Sequence, residues 1–519
     1  MNIIDKCIEF ISPMLASKRE MAKLRLKTYK LLNSGYSEGG ASRQKNAFKK
    51  WTAQSKSVQE DNDKNIPILR QRARSLYMTA PLAVSAIKTN RTNVVGTGLK
   101  PKPKINYEEL GLTVEQARKW QKKTEREFEL WAESEHCDST KVNDFYELQQ
   151  VVCMSWLMNG DACVLINFND EPNYMPYSLR LHVIEADRVC TPKSTGNSVD
   201  LNIKAENGNR IYNGVEINKN GAVTAYYICN TYPNSTLETK KEWIRVEAFG
   251  KKTGIPNVLM IFESERAEQY RGVPYLSPVI ESLKQLTRYS EAELTAAVIN
   301  GFFTVFIKTE SSAEDIPFSG ISDDTEDTYS NDYVLAPGAI NVLRPNEDIK
   351  IADSNRPNIN FDGFVSSMAK YIGASLEMPQ EVLLKSFNSN YSASRAALLE
   401  AYKGYKMRRE WIVKDFCQPV YELWLTEAIS KGRINAPGFF TNSILKKAWC
   451  KCEWNGPAMS QIDPDKEVEA ARKRVELGIS TREKETIELT GGDFDVNIER
   501  LKRENELIND LISRDVQNF

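Results

Sequence analysis

The alternation of apolar and polar positions divides the chain into helical, then strand-rich, then helical stretches. Ile3, Ile4, Cys7, Ile8, Ile11, Met14 and Leu15 recur at helical spacing and predict an N-terminal amphipathic helix. Residues 66–90 read as two helical pieces divided near Pro81. "VVGTGLKPKPKI" is extended. Residues 113–134 form a long helix opened by a Thr113/Gln116 capping box, and 145–160 a buried helix stopped by Gly160. Strand patterns follow at 161–168, 178–189 and 258–263, with a hairpin at 214–230 around Asn220-Gly221. Helical periodicity returns at 277–302, where Ser277 is the expected cap and Pro278 lies in the first turn. "FFTVFIK" and "YVLAPGAINVLRP" read as strands, and 361–378 as an apolar-faced helix. A further helix runs from 393 to about 431, with a kink expected at Pro419. Leu398, Tyr402, Tyr405, Ile412 and Phe416 mark its apolar stripe. Two shorter helices open with Asp463-Pro464 and with a Ser480/Glu483 capping box.

Composition sharpens this picture only in places. The 519 residues are 41% hydrophobic and 27% charged, within the globular range, so a large core is available. A net charge of −1 rules out a molecule-wide attraction to polyanions. Charge is instead segregated. Residues 18–50 carry ten Lys/Arg against two Glu and read as a basic arm, whereas 310–332 carry eight carboxylates and no Lys or Arg. The nine cysteines are irregularly spaced, and Cys450 and Cys452 lack nearby histidine, which argues against a zinc site and for reduced, buried thiols. No apolar run reaches the ~18 residues of a membrane span, and Asp5, Lys6 and Glu9 interrupt any signal-peptide reading.

Catalytic patterns are missing from the sequence. It has no Walker motif, no G-x-S-x-G and no H-E-x-x-H. His136 and His182 are the two histidines, and His182 sits in a strand pattern, as a core or sheet-face residue would. The crowded string "FNSNYSASRAALLEAYK" (387–403) offers serines but no base to activate them. It reads as a loop ahead of a helix, with Ser392 as the candidate cap. Asp323, Asp324, Glu326 and Asp327 lack the EF-hand glycine and the twelfth-position Glu. No cofactor or metal is expected, and the chain reads as a structural protein rather than an enzyme.

Several strings, in order, resemble the lambda-type portal family of tailed phages. They are "LRQRARSLYMTAPLAVSAIKTNRTNVVGTGLKPKP", "NGDACVLI", "LHVIEADRV", "GVEINKNGAVTAYYI", "YRGVPYLSPVIESLKQLTRYSEAELTAAVI", "NYSASRAALLEAYK" and "WNGPAMSQIDPDKEVEAARKRVELGISTREKE". Residues 263–274 depart from the family, which often has Pro-Gly-Gln before the Arg-Gly. The resemblance implies an α+β portal fold, mostly helical, with a β-rich wing and a small α/β clip. It implies residues 1–60 as amphipathic helix and basic arm, 61–276 as first wing part and 277–301 as stem helix. The clip would be 302–357, the second stem helix 358–378, a tunnel loop 379–392, the second wing part 393–437 and the crown 438–519.

It further implies a homo-oligomeric ring, usually dodecameric, at the portal vertex of a virion assembled in the bacterial host cytoplasm. Double-stranded DNA would pass without sequence specificity, and terminase large subunit, major capsid protein and head-tail connector proteins would be partners. No membrane is involved. Asn388, Ser389, Asn390, Tyr391, Ser392 and Arg395 become channel candidates. Asp323, Asp324, Glu326 and Asp327 become candidates for docking terminase or connector proteins. The competing classes are another head-neck connector and a DNA-processing enzyme.

Overall fold

The structure, a computed structural model, describes residues 10, 12–33, 41, 45–170, 174–192, 199–237, 240–301, 305–309, 347–351, 361–387, 390–459 and 463–517. The chain divides into two units, Met1–Ser57 and Val58–Phe519. In the first, helix α1 (Pro13–Asn33) occupies the start of the segment expected to be a basic arm. Lys and Arg are good helix formers, and nothing breaks the run before Asn33; the amphipathic helix expected from Ile3 to Leu15 lies mostly outside the described residues.

The second unit opens with a π-helical turn (Gln59–Asp63), then α2 (Ile66–Thr79) and α3 (Pro81–Val94). Ala80 between them is extended, the conformation that a following proline imposes. Strand β1 (Lys100–Pro103) leads to α4 (Val114–Ala132), whose Thr113/Gln116 capping box makes both of its bonds. Helix α5 (Phe145–Asn159) carries a second box, Asp144/Glu147, and ends at Gly160 with φ +89°. Strands β2 (Asp161–Phe168) and β3 (Leu179–Ile184) pair antiparallel, and β8 (Val258–Phe262) joins the other edge of β2. A four-stranded antiparallel sheet is built from β4 (Arg210–Tyr212), β5 (Val215–Ile217), β6 (Val223–Cys229) and β7 (Trp243–Glu247). The β5–β6 turn is the hairpin expected at Asn220-Gly221, with Gly221 at φ +80°.

Helix α6 (Ile280–Gly301) follows a 3₁₀ turn at Ser277–Val279. Strands β9 (Val305–Thr309) and β10 (Glu347–Ile351) pair antiparallel. The "YVLAPGAINVLRP" strand lies outside the described residues. Then come α7 (Phe361–Ser375), the short α8 (Gln380–Leu384), α9 (Tyr391–Ile412) and α10 (Gln418–Ser430). The expected kink is a π-helical turn at Val413–Cys417, directly before Pro419, which has no N–H to continue the ladder. The chain closes with α11 (Ser443–Cys450), β11 (Cys452–Asn455), α12 (Pro464–Glu476), α13 (Arg482–Thr490) and α14 (Phe494–Gln517). Asp463 caps α12 as expected. Thr481 rather than Ser480 caps α13, accepting from the Lys484 N–H, so the Ser480/Glu483 box is corrected by one residue.

β11 pairs with β1, which brings the C-terminal third back onto residues 100–103. Beneath that contact lies an aromatic core. Phe128 stands edge-on to Phe145 at 5.7 Å and to Trp424 at 5.0 Å, with Tyr421 and Trp131 beside it. A smaller core of Cys163, Ile184, Val215, Tyr226 and Ile228 joins the two sheets.

Candidate functional site

The start of α6 is fixed by charge buried beneath it. Asp161 is the first residue of β2 and fully buried. Arg70 of α2 donates Nη2–H to both of its oxygens at 2.9 Å and Nε–H to the Asn159 carbonyl at 2.7 Å. Arg271 donates Nε–H to Asp161 Oδ2 at 2.6 Å and Nη2–H to Oδ1 at 3.1 Å. Its remaining donors reach the carbonyls of Ala186 (2.8 Å), Val189 (2.6 Å) and Asn213 (2.5 Å). The Gly272 N–H also points at Asp161 Oδ2, at 3.3 Å. Gly272 is required here: a Cβ would lie 1.8 Å from the Gly160 carbonyl oxygen. Burial pushes the Asp161 carboxyl up, but Arg271 and Arg70 outweigh it and hold the group below the usual carboxylate range. Asp63, in the π-helical turn, is buried without that balance. Burial raises it to about 7, against the pull of Arg271 and with a push from Asp161.

From this node the chain enters the helix. The Tyr275 N–H donates to the Leu157 carbonyl, and the 3₁₀ turn begins at Ser277. Ser277 makes no cap. Its Oγ is buried without a hydrogen-bond partner, because Pro278 directs the chain into a 3₁₀ turn rather than a capped α-helix. Helices α6 and α7 meet through Tyr289, which stacks on Phe361 (5.7 Å, 22°) and meets Phe364 edge-on (4.6 Å, 60°).

Past α7 the backbone turns sharply. Glu377 takes φ +53°, and its carboxylate accepts from Arg408 Nη2 at 2.9 Å while that guanidinium lies 5.0 Å over the Tyr275 ring. The segment expected as a tunnel loop, 379–392, contains the short helix α8, ended by Lys385 at φ +53°. The cap of α9 is Asn390, whose side chain accepts the Ala393 N–H at 2.9 Å; Ser392 is exposed as the second helical residue, so the Ser392 expectation is corrected. Asparagine outranks serine only slightly as a cap, and the helix simply starts two residues earlier. Tyr391 is the first helical residue. Arg395 lies 3.4 Å from Glu467 of α12 and ties α9 to the C-terminal region. Asn388, Ser389, Asp323, Asp324, Glu326 and Asp327 lie outside the described residues.

Of the eight described cysteines, seven are buried. Burial pushes the thiols of Cys153, Cys163 and Cys450 up to about 12 and that of Cys190 to about 11, so each stays protonated at neutral pH. His182, half-buried on β3 opposite Leu165, is lowered by burial and by Arg188, as a sheet-face histidine would be.

A family profile described as phage portal protein, lambda family, matches residues 44–409. That span contains the Asp161 node, α6, α7 and the cap of α9. The chain belongs to the lambda family of phage portal proteins. It is 25% identical over 472 residues to portal protein B of Escherichia phage lambda, covering 87% of this chain and 86% of that one. It is 23% identical over 434 residues to the portal protein of Escherichia phage N15, covering 80% and 79%. Among solved structures it is similar to a chain in the virion of a native gene transfer agent particle, at TM-score 0.40 and 12% identity, over 82% of this chain and 92% of that one. A chain in the neck of that native particle, computed with C12 symmetry, gives TM-score 0.38 and 12% identity over 81% and 94%.

Within this portal fold the sequence strings acquire physical reasons. "YRGVP" is the arginine that neutralises Asp161 plus the glycine that lets β2 and the α6 approach touch. Sequence reading missed Arg70, Asp161 and Asp63. The available signal was Arg70 itself: it interrupts the apolar stripe Ile66, Ala73, Leu76 of α2 and so sits where only a paired charge is stable.

Proposed function

We propose that this portal chain assembles into a homo-oligomeric ring at one capsid vertex, through which double-stranded DNA is driven in and later released. The family match over residues 44–409 carries this reading. Helices α6 and α7 are its stem, residues 302–357 its clip, 379–392 its tunnel loop, and 438–519 its crown. In support, the outer faces of α6 and α7 leave Leu294, Val298 and Tyr371 more than half exposed, as surfaces covered by neighbouring copies would. The ring is a conduit and docking platform without catalysis of its own. The motor that hydrolyses nucleotide, a terminase, docks from outside, as do connector proteins, and the acidic 310–332 segment is the docking candidate.

A conduit must hold DNA loosely. Duplex DNA carries one charge per ~1.7 Å of axis, and a lumen lined with cations would grip it in a salt-sensitive complex. Neutral groups such as Asn388, Ser389, Asn390 and Ser392 touch phosphates weakly and read no sequence. Heads assembled without this chain should fail to fill with DNA, and packaging into such heads would contradict the reading. A photo-crosslinker at position 390 should label DNA in filled heads, and its silence there would remove 390 from the channel while leaving the portal role intact. Neutralising Asp323, Asp324, Glu326 and Asp327 together should weaken terminase binding; unchanged binding removes that docking surface.

A further inference from the structure

The four-stranded sheet carries a cleft beside the β5–β6 hairpin. Its volume is about 510 Å³, within the roughly 300–1,000 Å³ of small-molecule sites. Strand β4 sends Arg210 and Tyr212 to one face of the sheet, two residues apart, and the register sets Ile217 opposite Arg210 on that face. The hairpin turn and the segment leading to Arg271, with Tyr270 and Glu268, complete the lining. No part of the Asp161 node, the stem helices or the α9 cap lines this cleft.

Two features give the cleft a chemistry. The first is aromatic. The Tyr212 and Tyr270 rings are nearly parallel, 9° apart, with centroids at 6.4 Å. Stacked bases rise ~3.4 Å, so this separation is close to two stacking steps, the spacing of a planar ring held between two others. Both tyrosines pack against the smaller core, and both hydroxyls are fixed: Tyr270 Oη donates to the Gly221 carbonyl at 2.9 Å, and Arg210 Nη1 donates to Tyr212 Oη at 3.2 Å. The second feature is electrostatic. Lys204, Arg210 and Lys219 line the cleft against one carboxylate, Glu268. Among the described residues none of these three cations forms an ion pair. That excess of donors and positive charge suits a phosphate. Asn218 Oδ1 accepts the N–H groups of Asn220 and Ala222 at 2.9 and 3.0 Å, which leaves its side-chain NH2 as a donor for the edge of a ring. Glu268 takes φ +62°, uncommon for a residue with a β-carbon, and the buried Gln59 side chain holds it there by donating to its carbonyl at 2.7 Å. Backbone strain of this kind collects at ligand sites.

We infer that this cleft binds a nucleoside phosphate. The base stacks between Tyr212 and Tyr270, and Lys204, Lys219 and Arg210 neutralise the phosphate. A planar base joined to a phosphate is the shared chemistry of a free nucleotide and of the end of a nucleic-acid strand. The inference assigns binding without a reaction, and it does not depend on the ring reading above. Tyr270 directly precedes Arg271, so a bound base bears on the chain next to the residue that neutralises Asp161.

The test titrates adenosine monophosphate into the full-length chain by isothermal calorimetry at low salt, with adenosine and inorganic phosphate as partial probes. Saturable binding of one monophosphate per chain is expected, with adenosine and phosphate each weaker. Tyr212→Phe keeps the ring and should bind normally, whereas Tyr212→Ala should weaken binding about tenfold or more. Replacing both exposed lysines, Lys204→Gln with Lys219→Gln, should weaken the monophosphate and leave adenosine unchanged; this pair keeps the test valid should Tyr212→Ala unfold. A 5′-phosphorylated trinucleotide that binds more tightly than the monophosphate would identify a strand end as the source, and the reverse order a free nucleotide. No saturable binding at millimolar nucleotide, equal binding of inorganic phosphate alone, or full affinity in both the folded Tyr212→Ala chain and the lysine pair would overturn the inference.

Discussion

Two charge clusters join distant parts of this chain, and they differ in their access to water. Around Asp161, Arg70 and Arg271 are at most 2% exposed, and every charged oxygen has a fixed donor. Around Lys102, the partners Glu483 (3.3 Å) and Asp493 (2.7 Å) are about a third exposed, and Lys104 reaches Glu453 at 2.8 Å nearer the surface still. Each cluster also holds one carboxyl that burial raises to about 7, Asp63 in the first and Glu125 in the second. The buried cluster sets the start of α6 with rigid geometry. The outer one fastens the C-terminal helices by a contact that salt and water can loosen. Position is thus fixed where α6 starts, and adjustable where α12 to α14 join the rest of the chain.

Breaking the inner cluster should have the largest effect. Asp161→Ala leaves two guanidinium groups buried without a counter-charge, a loss of about 3–5 kcal/mol. It should appear as a sharply lowered thermal midpoint and poor soluble yield; an unchanged midpoint would erase the distinction between the clusters. Next comes Gly272→Ala, whose Cβ would overlap the Gly160 carbonyl. It should lower the midpoint clearly although no charge changes, separating close approach from electrostatics.

Asp63→Asn sharpens the comparison by pH. Asp63 is raised from 3.8 to about 7, so the stability linked to its neutral form is complete below about pH 4 and gone once pH passes 7. The variant should match the unaltered chain below about pH 4, gain on it as pH rises toward 7, and be more stable than it at pH 8. A variant weaker at pH 8 would mean that ionised Asp63 is a needed partner for Arg271. Smallest is Lys102→Met, expected to cost no more than about 1 kcal/mol, and less in high salt. A loss as large as that of Asp161→Ala would show the outer cluster to be equally rigid.

Much of this fold was legible because local rules agree with tertiary need. The Thr113/Gln116 box, the Asn220-Gly221 hairpin, Pro81 and Gly160 each act within a few residues, and each element appears where they put it. The errors are of two kinds. Ser277, Ser392 and Ser480 all have a capping side chain, but a hydroxyl cannot reveal whether the helix begins one or two residues away, and Asn390 and Thr481 have equal claim. The Asp161 node was invisible for another reason: its members are separated by 91 and 110 residues, and only the folded sheet brings them together. The pairing of β1 with β11 was hidden in the same way.

The most direct test of the central claim is to image the purified full-length chain by electron microscopy. A closed ring of identical subunits with a central hole wide enough for duplex DNA is the expected result. A monomer, or a symmetric particle with no axial opening, would contradict it.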